Sequence, residues 1–220
     1  MKILLFTTIQ IKRVRIVEVE IIKDKTFYII DMGSKFIKHL CKAFIDQGHY
    51  IRVLAWYDPY IRRDFERNHD YINGIVFSGS QSNIVPHTNF PTVGDYILHQ
   101  KNIPVLGVCY GMQIINHMLG GVVLKNTKPE DGPKKLNIIK DSLLYDGVDL
   151  TKEPKPGKIW MHHEYVVDHI PPGFEITSYT KLSPIASMER DNLYCLQYHP
   201  EYGTNLGKQI IHNFCEKICK

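Results

Sequence analysis

The chain has 220 residues, 44% of them hydrophobic and 23% charged, with a formal net charge of +4. That length suits one α/β domain with a substantial core, and the composition excludes a disordered or fibrous chain. No apolar run nears the roughly 20 residues that cross a bilayer, which argues against a membrane protein. Residues 1–25 carry six basic and three acidic side chains, so most of the positive charge lies in that arm. The nearly neutral remainder argues against a nucleic-acid binder. Apolar residues 3–9 behind Lys2 lack a small-residue cleavage site and run into Lys12-Arg13-Val14-Arg15, unlike a secretion signal. Five cysteines without framework spacing predict free thiols in a reducing compartment, the cytoplasm. Cys215 and Cys219 read as helix residues near the terminus, since no second ligand pair accompanies them.

In chain order, apolar and polar residues alternate between Gln10 and Ile21, predicting one or two edge strands in a basic extension over residues 1–25. Residues 26–220 read as a single domain. It opens with a buried strand over 27–30 and a turn at Asp31-Met32-Gly33-Ser34. A helix follows, with Phe36, Ile37, Leu40, Cys41, Phe44 and Ile45 at helical spacing, closed by Gly48. A strand over 50–56, a short helix from Asp58-Pro59 to Asn68 and a strand over 74–77 come next. The polar loop Ser78-Gly79-Ser80-Gln81-Ser82 then leaves the sheet where open α/β folds bind ligands. A helix over 93–101 precedes a strand over 103–108 and a helix over 110–119.

Beyond Gly120-Gly121, short strands are expected at 122–124, 135–139, 158–161, 174–179, 185–190 and 193–198, with mobile loops at 125–134 and 152–157. A final helix over 203–220 has Leu206, Ile210, Ile211, Phe214 and Ile218 on one face. The predicted fold is α/β: a central, mostly parallel sheet with helices on both faces, plus a smaller antiparallel strand set.

Two motifs carry chemistry. In Gly107-Val108-Cys109-Tyr110-Gly111 a cysteine stands between glycines where a strand turns sharply into a helix. Small neighbours leave room for a strained apex residue whose side chain projects above the sheet. The helix N-terminus beneath supplies partial positive charge and free N–H groups, which favour a thiolate and can hold an oxyanion. A thiol of ordinary pKa, about 8.5, also needs a base held by a third group. Gln197-Tyr198-His199-Pro200-Glu201 offers one. Pro200 ends the strand with His199 at its carboxyl edge, and Glu201 is near enough to orient the imidazole.

Together these motifs resemble the class I, triad-type glutamine amidotransferases, most nearly the amidotransferase part of GMP synthetase. Matching stretches include Ile29-Ile30-Asp31-Met32-Gly33-Ser34, Trp160-Met161-His162-His163, Pro171-Pro172-Gly173-Phe174-Glu175 and Ser183-Pro184-Ile185-Ala186-Ser187-Met188, so the similarity covers about residues 27–219. The resemblance implies a flavodoxin-like amidotransferase fold and a Cys109, His199, Glu201 triad that hydrolyses glutamine through a γ-glutamyl thioester. It implies substrate or oxyanion contacts at Gly79, Ser80, Tyr110, Gln113 and His163, with backbone groups of residues 162–165 taking part. Two departures stand out. The family's Ser-Gly-Gly-Pro is Ser78-Gly79-Ser80-Gln81 here, so a side chain restricts the peptide expected to complete the oxyanion hole, where a lost donor costs about 10²–10³ in rate. After His163, Glu164-Tyr165 replaces a small residue and an aspartate.

The chain has neither the Ser-Gly-Gly-x-Asp-Ser loop of an ATP-pyrophosphatase nor a Walker-type loop. The resemblance therefore implies a stand-alone subunit that needs no cofactor and passes ammonia to a separate ATP-pyrophosphatase synthetase, which would hold ATP and Mg. Two other readings remain open: a γ-glutamyl hydrolase or peptidase, and a weakly active regulatory protein of the same fold.

Overall fold

The computed structural model describes residues 24–81, 94, 97–149 and 157–220. The expected strands of the basic arm lie outside this set apart from Asp24 and Lys25, as does the 152–157 loop apart from Gly157. Of the helix expected over 93–101, Gly94, Ile97 and Leu98 are described and helical.

The architecture is an eight-stranded sheet built from β1 (Thr26–Asp31), β2 (Tyr50–Ala55), β3 (Ile72–Phe77), β4 (Val105–Val108), β6 (Asn137–Ile138), β8 (Glu175–Tyr179), β9 (Ser187–Arg190) and β10 (Leu193–Leu196). Its order is β2-β1-β3-β4-β10-β9-β8-β6. The five strands from β2 to β10 pair in parallel, and β10, β9, β8 and β6 continue antiparallel. This is the mostly parallel sheet with an antiparallel extension that the patterning predicts.

Alternation along β1 sends Phe27 and Ile29 into one core and Tyr28 and Ile30 into the other. The first core is covered by α1 (Ile37–Ile45) and α4 (Asn205–Asn213), through Leu40, Phe44, Leu206, Ile210 and Ile211. The second is covered by α2 (Ile61–Asn68) and α3 (Tyr110–Met118), through Ile61, Phe65, Met112 and Ile115. The Thr204 hydroxyl accepts the Gly207 N–H and opens α4, which widens into a π-turn over Phe214–Ile218 and so ends as a regular helix earlier than expected.

One expectation fails outright. Residues 125–134 are not a loop: β5 (Val122–Lys135) runs through them and pairs antiparallel with β7 (Lys158–His169), itself three times the expected length. Pro129, Gly132 and Pro133 read as turn chemistry, yet this separate two-stranded ribbon tolerates them. The register shifts between Lys125 and Glu130, and only Glu130 of β5 is buried, so no alternating apolar signal marks the strand. Among the described residues, no helix is long and apolar enough to cross a membrane. All five cysteines are free thiols.

Candidate active site

β4 delivers Cys109 onto the turn into α3 at φ 53° and ψ −104°, a left-handed conformation that a side chain rarely adopts. Both flanking glycines are required by close packing. A Cβ at Gly107 would lie 2.7 Å from Ile115 Cδ1 and 2.8 Å from the Gly111 carbonyl carbon, and one at Gly111 would lie 2.3 Å from the Phe77 carbonyl oxygen. The Cys109 N–H donates to the Leu196 carbonyl over 2.6 Å, locking the apex to β10. The first N–H groups of α3 have no acceptor within the helix and point toward the thiol's side of the turn.

Parallel pairing of β4 with β10 sets Leu196 beside Val108, so the chain leaving β10 passes Cys109. His199 arrives there, fixed by its N–H donating to the Trp160 carbonyl over 2.8 Å. Its Nδ1 lies 2.8 Å from Glu201 Oε1, leaving Nε2 for the hydrogen bond that it shares with the Cys109 side chain. Burial disfavours a charged imidazole, but the charges of Glu201 and Cys109 and their hydrogen bonds outweigh it and raise His199 to about 10. The three residues that the sequence selects are thus in contact, and the pairs are almost wholly excluded from water.

The loop after β3 faces them. A Cβ at Gly79 would lie 3.1 Å from His199 Cε1, 3.3 Å from Ser34 Oγ and 3.7 Å from Cys109 Cβ, so this position has little room for a side chain. Ser80 is not among the described non-glycine residues with positive φ, which are Cys109 and Asp191, so its Cβ brings no left-handed strain. The turn after β1 braces this loop. The Met32 N–H donates to Ser78 Oγ and the Gln81 N–H to the Gly33 carbonyl, at 2.9 Å and 3.3 Å.

Gln113 is buried and donates to the Tyr165 carbonyl over 2.7 Å and to Gln197 Oε1 over 3.2 Å. Tyr110 is buried at the start of α3, next to Cys109. The His162 carbonyl oxygen lies 3.7 Å from Cys109 Sγ, which brings the backbone of β7 to the site. The His163 side chain is buried, with Nε2 3.3 Å from buried Glu130 and 3.4 Å from Ser183 Oγ. Burial acts to raise the Glu130 carboxyl, but hydrogen bonds from His163, Ser183 and Thr180 hold it below the usual carboxylate range. Among the described residues no cluster of three histidine, cysteine, aspartate or glutamate side chains is arranged to hold a metal.

With this geometry in hand, the comparison with protein families is decisive: the model of the class-I glutamine amidotransferases matches residues 28–218. The chain belongs to that family. It is 31% identical over 196 residues to a GMP synthase [glutamine-hydrolyzing] of Aquifex aeolicus and 36% identical over 194 residues to one of Petrotoga mobilis, each alignment covering 87% of this chain. The chain spans 36% of the length of each of these relatives. A solved structure from Thermoplasma acidophilum, described as one subunit of a GMP synthase, has the same fold, with a TM-score of 0.76 at 24% identity over 90% of this chain and 94% of that one.

Several neighbours of this amidotransferase's site were not singled out from sequence. Gln197 donates to Cys109 Sγ across 3.8 Å, and its position two residues before His199 in the motif was the available signal. Phe36 packs edge-on to His199 with centroids 4.7 Å apart and also meets Tyr202, which lies against Trp160. Only the fold joins these aromatics, so no local pattern marks them.

Proposed function

We propose that this chain hydrolyses glutamine to glutamate and ammonia with Cys109 as nucleophile, His199 as acid and base, and Glu201 as the carboxylate that orients and stabilises His199. The observation that carries this reading is the placement of His199, buried with Nδ1 2.8 Å from Glu201 Oε1 and its other side against the Cys109 side chain. Its Nε2 side faces the sulfur, where it can exchange a proton with the reacting groups.

The sulfur attacks the side-chain amide carbon, and the carbonyl π electrons move to oxygen. N–H groups at the start of α3, from Tyr110 onward, and in the Gly79-Ser80 peptide are the proposed oxyanion donors. His199 Nε2 protonates the nitrogen, the C–N bond breaks, ammonia leaves, and a γ-glutamyl thioester remains. Having given its proton to the leaving nitrogen, His199 Nε2 is neutral and free to act as a base. It then takes a proton from water as the water attacks, and collapse of the second tetrahedral intermediate releases glutamate and restores the sulfur. Gln113, with the backbone of residues 162–165, is proposed to hold the substrate, and His163 to support that backbone from behind.

The similarity to GMP synthases supports ammonia delivery to an ATP-pyrophosphatase synthetase that binds ATP and Mg, this chain's own chemistry needing no cofactor. Free thiols support a cytoplasmic setting. The test is ammonia release from glutamine by the purified chain, alone and with a candidate synthetase. No release in either condition overturns the proposal, and release from γ-glutamyl peptides alone would identify a hydrolase instead.

A further inference from the structure

We propose that Lys35, His162 and Asp131 form a latch that positions the loop at residues 78–81 and the His199 ring for the reaction. This inference rests on the glutaminase reading above. His162 Nε2 is 2.5 Å from Lys35 Nζ, and its Nδ1 is 2.7 Å from Asp131 Oδ1. An ammonium can only donate, so Nε2 accepts from Lys35, and Nδ1 lies at hydrogen-bond distance from the Asp131 carboxylate: the ring bridges a cation and an anion. The bridge fastens the β5–β7 ribbon, which carries Asp131 and His162, to the turn after β1, which carries Lys35.

That turn touches the reacting groups on two sides. Its backbone is shaped by Asp31 Oδ1, which accepts from the Gly33 and Ser34 N–H groups at 2.8 Å and 3.2 Å. Through Met32 N–H and the Gly33 carbonyl it holds Ser78 and Gln81, and through Phe36 it packs on the His199 ring. Lys35 Nζ also lies over the Phe36 ring, 5.0 Å from its centroid. On the other side of the latch, the His162 carbonyl faces Cys109 Sγ. The side chains of His162 and Asp131 are exposed to 41% and 72%, so the bridge adds little to stability. Its consequence is geometric: it sets the distance between the ribbon on one side of the nucleophile and the loop on the other. Lys35 and Asp131 are positioning residues, touching neither substrate nor sulfur.

The experiment compares the chain with Lys35→Met, Asp131→Ala and Asp131→Asn. A shift of about 1 Å in a site costs up to ~10² in rate, so kcat for ammonia release is expected to fall about tenfold in the first two, with KM for glutamine within about twofold. Asp131→Asn, whose amide oxygen still accepts from Nδ1–H, retains most of the rate. Hydrogen exchange at the Met32 and Gln81 amides speeds up in Lys35→Met and Asp131→Ala while their melting temperatures stay near that of the parent. Parental kcat and exchange in both variants would overturn the latch, as would a rise in KM at unchanged kcat, which would place these residues on the substrate. If the parent chain itself releases no ammonia, the glutaminase reading fails, and exchange at Met32 and Gln81 still decides the latch.

Discussion

Gly111 and Phe77 meet backbone to backbone: a Cβ on the first residue of α3 after Tyr110 would stand 2.3 Å from the carbonyl oxygen ending β3. No rotamer relieves such an overlap, because the opposing atom belongs to the sheet. Gly111→Ala is therefore expected to cost at the upper end of, or beyond, the ~1–3 kcal/mol typical of overpacking, read as a drop in the urea midpoint. An unchanged midpoint would mean that α3 can lift off the sheet without loss.

Cys109→Ala tests the electrostatics of the pair. Burial lowers the His199 pKa, while Glu201 and Cys109 raise it to about 10. Removing the sulfur deletes part of the raising influence, so the imidazole titration followed by NMR should move down from about 10. Glu201→Gln should also move it down, the Glu201 charge being the first of the raising causes. The sign for stability follows. His199 is raised above its ordinary 6.5, so its charge stabilises the fold fully below about 6.5, and that contribution is lost as pH climbs toward 10. His199→Gln should flatten this alkaline decline in melting temperature.

Gly79 and Ser80 should respond unequally. A methyl at Gly79 presses on His199 Cε1 and Ser34 Oγ, so Gly79→Ala is expected to lower kcat about 10²-fold with little change in melting temperature. Ser80 carries no left-handed strain, so Ser80→Gly should change kcat far less than the ~10²–10³ expected if the serine had cost the site an oxyanion donor. Steady-state glutaminase kinetics on both variants decide this.

Glu130 is the buried acceptor for His163, Thr180 and Ser183. Glu130→Ala strands those donors and should cost about 3–5 kcal/mol in urea unfolding, the range for breaking a buried pair from one side. Because the carboxyl is held below its ordinary 4.5, its stabilisation is present above that pH and lost as pH falls through the lower folded value, so the parent's acid limb should be absent from the variant.

How much of this was legible follows from where the information sits. The elbow was readable because its glycines and cysteine alternate within five residues and answer one steric demand, whereas the strand expected to run up to His199 and Pro200 ends earlier, β10 stopping at Leu196. The parallel sheet was readable because β1, β3 and β4 are continuous apolar runs bounded by turns. The β5–β7 ribbon was not, since a two-stranded element with one buried position on β5 shows no period of two and its prolines imitate a turn. Lys35 and His162 stand 127 positions apart, and no local pattern connects them. The buried Glu130 partner of His163 was hidden for the same reason, since it lies in the segment read as loop.

The pairing of β4 with β10 has a consequence in time as well as space. The cysteine of the elbow stands at position 109, but His199 and Glu201 come 90 and 92 residues later in a 220-residue chain. On the proposed mechanism, a nascent or truncated chain that stops at β10 carries the cysteine without the histidine and is expected not to split glutamine before the sheet has closed around it. Reactivity is thereby tied to completion of the fold.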